Sequence, residues 1–198
     1  MTSKQTPSQT IGPFFAYGLT PGQYGYEFAD LANGDLLAQS PDESGTRIEI
    51  TGKVFDGEGQ VIGDAMIEIW QADSQGRYAH PGDTRPSNTG FRGFGRFGTG
   101  TEDDSSFRFR TVKPGSVDGE QAPHINVVVF ARGMLSHAYT RIYFADELSA
   151  NAKDRVLTSV PEDRRATLLA TADDSSAPNT YSFDIHLQGT KETVFFEV

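Results

Sequence analysis

From Arg47 onward the chain is built of short segments in which apolar and polar residues alternate, separated by turn-forming residues. This pattern constrains the fold more than any other feature. Arg47-Ile48-Glu49-Ile50-Thr51-Gly52-Lys53-Val54 has the period of two that a half-buried strand requires, because successive side chains leave a strand on opposite faces. Asp56-Gly57-Glu58-Gly59 reads as a turn. Residues 65–71 and 107–112 alternate again, and Lys113-Pro114-Gly115 ends the second of these. Residues 124–130 hold a continuous apolar run, which predicts burial on both faces. Further strands are expected over 139–144, 181–187 and 193–198. Two short helices are expected over 146–154 and 161–172, the second with Pro161 and acids in its first turn. The 21 Gly and 10 Pro favour many turns over long helices. The expected fold is all-β: a single β-sandwich domain of about seven or eight strands with short helices. A small barrel satisfies the same pattern.

Residues 1–45 lack this alternation. Gly12-Pro13, Pro21-Gly22, Asn33-Gly34 and Pro41 punctuate them, and Phe14-Phe15-Ala16-Tyr17 is an aromatic cluster. An extended N-terminal arm over 1–45, preceding a sandwich over 46–198, is the expected division. Its aromatic residues need a surface to bury against, either their own domain or a partner. The formal net charge of −10 argues against a phosphate-binding surface, so nucleic acid is not an expected partner. The absence of cysteine excludes disulfides, thiolate zinc sites and thiol catalysis, and fits a reducing compartment. No segment approaches the ~18 apolar residues of a membrane span. Met1-Thr2-Ser3-Lys4-Gln5-Thr6-Pro7 lacks the features of a secretory signal, so a cytoplasmic protein is expected.

Without cysteine, metal ligation would fall to His80, His124, His137, His186, the acids and the tyrosines. Only His124 has a suggestive context. It opens the most buried-looking strand in Ala122-Pro123-His124-Ile125-Asn126, so His124 and Asn126 project from the same face. Two His at this spacing would clamp a metal, but a neutral amide is a poor transition-metal ligand beside imidazole. A hydrogen-bonded pair is the reading this spacing favours. No Gly-x-Ser-x-Gly elbow is present. Gly93-Phe94-Gly95-Arg96-Phe97-Gly98 does not follow a strand and open a helix, so it reads as a loop whose glycines permit close backbone packing. Asp103-Asp104 and Asp173-Asp174 read as solvated turns.

Taken in order, several motifs resemble the intradiol ring-cleaving dioxygenases. They are Pro7-Ser8-Gln9-Thr10-Ile11-Gly12-Pro13-Phe14, Ile67-Glu68-Ile69-Trp70-Gln71-Ala72-Asp73, Gly76-Arg77-Tyr78, Phe94-Gly95-Arg96, Thr111-Val112-Lys113-Pro114-Gly115, Ala122-Pro123-His124-Ile125-Asn126 and Thr140-Arg141-Ile142-Tyr143-Phe144. The ending Glu192-Thr193-Val194-Phe195-Phe196 and the Ala-Pro-His-Ile-Asn strand point to the alpha subunit of the two-subunit members. In catalytic chains of this family, two Tyr and two His hold a non-haem Fe(III). Carried over by position, the resemblance places the first Tyr at Tyr78 and the first His at His124. The second Tyr falls at Val117 and the second His at Asn126, so two ligands are missing. Gln121 stands where catalytic chains carry a substrate-assisting Arg. Ferric ion is hard and needs anionic donors, and Val117 has no donor atom. The resemblance therefore implies no metal and no catalytic residue in this chain, with Tyr78, Val117, His124 and Asn126 as vestigial ligand positions.

It further implies that Fe(III) is bound by a homologous beta subunit in a hetero-oligomer of αβ units. The implied reaction is intradiol cleavage of protocatechuate with O2 to 3-carboxy-cis,cis-muconate, in the β-ketoadipate pathway of aromatic degradation. This chain would assemble with the beta subunit and shape its substrate pocket through Thr10, Gly12, Pro13, Phe14 and Arg132. The family often carries Tyr where Phe14 stands, which removes a hydroxyl here. Arg132 would attract the substrate carboxylate; the alternatives are an arm over Thr10 to Phe14 that only holds the subunits together, and an ordinary surface or interface ion pair at Arg132. Two rival readings exist: a self-sufficient iron enzyme, which Val117 and Asn126 disfavour, and a non-enzymatic β-sandwich binding or structural module.

Overall fold

The computed structural model describes residues 10, 12–27, 33–85, 90–173 and 179–197. The Pro7-Ser8-Gln9 part of the opening motif, Ile11, Asp174 and Val198 lie outside the described residues. Nine strands are found among the described residues: β1 (Arg47–Phe55), β2 (Met66–Gln71), β3 (Phe94–Gly98), β4 (Ser106–Val112), β5 (His124–Phe130), β6 (Ala138–Phe144), β7 (Leu169–Ala172), β8 (Thr180–Ser182) and β9 (Ile185–His186). They form one curled mixed sheet in the order β3-β2-β5-β6-β7-β8-β1-β4, with β9 beside β1. The β2–β5, β5–β6 and β1–β4 pairs are antiparallel, whereas β6–β7 and β1–β8 are parallel.

The alternation closes this sheet on itself. Ile48, Ile50 and Val54 of β1 and Phe107 and Phe109 of β4 turn inward from one half. Ile67 and Ile69 of β2, Ile125, Val127 and Val129 of β5 and Ile142 of β6 turn inward from the other, and all share one core. Each such side chain contributes about 1.5–3 kcal/mol of burial free energy, and the sandwich-like all-β fold follows from that shared interior. A second, smaller core of Ala122, Tyr143, Leu157, Val160 and Leu168 lies on the other side of β5 and β6. It explains why the first half of β5 is buried on both faces.

Several elements differ from the sequence expectation, each for a local reason. The Gly-rich segment expected as a loop is strand β3, paired with β2. Its glycines do serve close packing: a Cβ on Gly95 would lie 2.5 Å from Leu36 Cδ1. Glycine within a strand hides the alternation that would announce it. The helix expected over 161–172 is a 3-10 turn, Glu162–Leu168, followed by β7, because Leu169 and Ala170 pair with Tyr143 and Phe144. The helix expected over 146–154 is a single turn, Leu148–Asn151. The next helix, Arg155–Ser159, begins at the Asp154 cap. The strand expected over 181–187 is broken between β8 and β9. Within 193–197 only Phe196 bridges to Tyr139.

The N-terminal segment carries short helices of its own, Pro13–Leu19 and Leu36–Gln39, with a 3-10 turn Pro21–Tyr24 between them. Proline suits the first position of a helix, where its missing N–H has no partner to lose. No helix among the described residues is long and apolar enough to cross a membrane.

Gly52 of β1 packs against the bend between β8 and β9. A Cβ there would sit 1.8 Å from the Phe183 carbonyl oxygen. Gly52→Ala should therefore destabilise the chain by about 2 kcal/mol or more, seen as a lowered denaturant midpoint with an unchanged slope.

Candidate functional site: two clusters on the outer face of β5

The strand period places His124, Asn126, Val128 and Phe130 on the face of β5 that points away from the main core. On β2 the register sets Trp70 opposite Asn126, and on β6 it sets Tyr143 opposite His124 and Arg141 opposite Asn126. Tyr78 reaches the same place from the loop after β2. That loop is held by Asp73, whose carboxylate accepts the N–H groups of Gln75 and Arg77. At Gly76, with φ +75°, any Cβ would meet the Ser116 carbonyl at 2.0 Å, so the turn requires glycine. Trp70 stacks on the Tyr78 ring at 5.8 Å.

These side chains form a continuous hydrogen-bond chain. His124 Nδ1 lies 2.8 Å from the Ala122 carbonyl oxygen, which can only accept, so Nδ1 carries the proton. Nε2 of the neutral ring then accepts from the Tyr78 hydroxyl at 3.3 Å. That hydroxyl in turn accepts from Asn126 Nδ2 at 3.1 Å. Asn126 also donates to the Trp70 carbonyl at 3.2 Å, and its Oδ1 accepts from the Tyr139 hydroxyl. Burial, helped by the Arg141 charge, pushes His124 down to about 4. Burial raises the Tyr78 phenol above its ordinary value, so both groups are neutral at physiological pH.

Arg141 donates to Gln121 Oε1 at 3.1 Å and to the Tyr143 hydroxyl at 3.4 Å. Tyr143 donates to Asp154. The same buried carboxylate accepts from Ala122 N–H and caps the helix Arg155–Ser159, fixing the entry to β5. Val117 is buried, bridges to Gln121, and lines with Trp70 and Tyr78 an open cleft of about 670 Å³.

A second cluster lies at the far end of β5, six residue steps from His124 and hence roughly 20 Å along the strand. The Thr10 hydroxyl accepts from Gly133 N–H at 2.9 Å and donates to the Ala131 carbonyl at 3.4 Å, tying the arm to the turn that carries Arg132. Arg132 Nε is 3.0 Å from Asp64 Oδ2. Gly12 and Asp64 line one cavity of about 200 Å³. Pro13 begins the first helix, and Phe14 beside it is 87% exposed. The structure thus gathers Tyr78, Val117, His124 and Asn126 at one end of β5, and Thr10, Gly12 and Arg132 at the other. Sequence reasoning missed Asp64, Trp70, Tyr139 and Arg141. The period-two pattern of 139–143 could have placed Tyr139, Arg141 and Tyr143 on one face.

The protein-family model "Dioxygenase" matches residues 19–189. The chain belongs to the intradiol dioxygenase family. Over its whole length it is 50% identical to the protocatechuate 3,4-dioxygenase alpha chain of Burkholderia cepacia, covering 99% of that protein. It is 33% identical to the beta chain from the same organism, over 86% of this chain and 77% of that one. Its fold is similar to that of an intradiol ring-cleavage dioxygenase from Tetranychus urticae, with a TM-score of 0.62 and 19% identity, over 85% of this chain and 92% of that one.

The family is in general iron-dependent, and the Tyr78 cluster does not fit a ferric ion. Its amide is neutral, and the Val117 position offers no donor, so the set supplies too few anionic ligands for a hard ferric ion. Tyr78, His124 and Asn126 already satisfy one another.

The buried neutral imidazole has a pH signature. Because the folded value of about 4 lies below the unfolded value near 6.5, stability is lost as pH falls from about 6.5 to about 4 and changes little with this group outside that window. The unfolding free energies of the parent and of His124→Gln should therefore converge by up to about 3 kcal/mol across this range. Parallel denaturation curves at pH 6.5 and 4 check this.

Proposed function

We propose that the chain is the alpha subunit of a protocatechuate 3,4-dioxygenase. It acts with an iron-bearing beta subunit to insert both atoms of O2 between the two hydroxyl-bearing carbons of protocatechuate, in the β-ketoadipate route of aromatic degradation. The observation that carries this reading is the 50% identity with an alpha chain over the full length. The Tyr78 cluster supports the division of labour, since its donors are consumed by hydrogen bonds among themselves. On this reading Fe(III) belongs to the beta subunit, and this chain supplies assembly, pocket shape and charge recognition. The lack of cysteine suits a cytoplasmic setting.

The arm end has the properties that role needs. Phe14 and Leu135, close in sequence to Thr10 and Gly133, are 87% and 66% exposed, apolar side chains suited to a partner. At Gly12 nothing lies within 4 Å of where a Cβ would be, so the arm leaves open space there for a planar ring. In a chain of net charge −10, an anionic substrate needs a local cation. Arg132, 67% exposed, offers a guanidinium fork that matches a carboxylate.

Co-expression with the beta chain should give a stoichiometric complex that cleaves protocatechuate; failure to assemble would favour a non-enzymatic module. Within that complex, Arg132→Ala should raise the KM for protocatechuate about tenfold or more, a loss of at least ~1.4 kcal/mol, and affect carboxylate-free catechol far less. Equal effects on the two substrates would contradict charge recognition.

A further inference from the structure

We infer that Asp64 is a positioning residue for Arg132, and that the pairing of β2 with β5 brings their two turns together. This deepens the reading of Arg132 as the group that recognises the substrate carboxylate. In the β2–β5 ladder Met66 stands opposite Phe130. Asp64 and Arg132 lie two residues beyond that rung, in the turns at the adjoining ends of β2 and β5. The strand pairing brings these two turns together, and the ion pair at 3.0 Å joins them.

Both backbones are rigid where the pair forms. On the Asp64 side, the buried hydroxyl of Thr99 accepts from Ala65 N–H and donates to the Ile62 carbonyl, while Thr99 N–H donates to the Ala65 carbonyl. On the Arg132 side, Met134 N–H donates to the Ala131 carbonyl and Thr10 receives Gly133 N–H.

The closest approach is between Arg132 Nε and Asp64 Oδ2, and among the described residues Arg132 has no other acidic partner. A guanidinium carries five N–H donors, so one neighbouring carboxylate leaves others for a ligand carboxylate. Without Asp64, an exposed arginine with many rotamers would have to be ordered at each binding event, which costs about threefold to tenfold in affinity. Asp64 also repels an anionic substrate, but that effect is screened by water and salt. The net expectation on removing the carboxylate is weaker binding.

The test uses steady-state kinetics of the αβ complex. Asp64→Ala and the isosteric Asp64→Asn should each raise the KM for protocatechuate about threefold to tenfold, with kcat and the KM for catechol unchanged. In the Arg132→Ala background, Asp64→Ala should add no further change. An unchanged or lowered protocatechuate KM in both Asp64 variants would overturn the positioning role while leaving the recognition reading intact. So would an equal rise for catechol, which would mark a merely structural effect. If Arg132→Ala itself fails to discriminate the two substrates, the recognition reading falls first, and the positioning role falls with it.

Discussion

The Tyr78 hydroxyl can be a neutral hydrogen-bond hub or an anionic ligand of a ferric ion, but not both at once. It donates to His124 Nε2 and accepts from Asn126 Nδ2, and burial holds it protonated. This arrangement joins the loop after β2 to β5, and through Tyr139 and Arg141 it extends to β6. Asn126 is central, since one amide can serve a carbonyl, a phenol acceptor and a phenol donor together. An imidazole there could not fill all three roles. On this account, residues that would be called lost ligands form a cross-link that a metal would otherwise make.

The outer face of β5 connects this cluster to the second one. His124 and Asn126 stand at its start and Arg132 lies in the turn just beyond its end, so one strand spaces the two clusters. Asp154 secures the first end by capping the helix Arg155–Ser159 and binding Ala122 N–H. Thr10 and Asp64 secure the other. One end of the strand is thus closed by hydrogen bonds among its own side chains, and the other presents an exposed guanidinium.

Much of the sandwich was legible in the sequence because alternating strands declare themselves locally. β1, β4, β5 and β6 were expected within a residue or two of their bounds. What escaped has physical causes. β3 is disguised by Gly95 and Gly98, which supply no side chain to alternate. β7 pairs parallel with β6, a long-range contact that outweighs the helical look of 161–172. The Tyr78–His124–Asn126 grouping was legible only through the family resemblance, since 46 residues separate Tyr78 from His124. Asp64 was invisible because its turn meets that of Arg132 only once β2 and β5 have paired.

The central claim is that iron belongs to the partner and not to this chain. The most direct measurement is the iron content and the visible tyrosinate-to-iron absorption of this chain purified alone, set against the co-expressed complex. The account predicts a colourless, iron-free chain alone and one iron per αβ pair in the complex. A brick-red, iron-loaded and active single chain would contradict it.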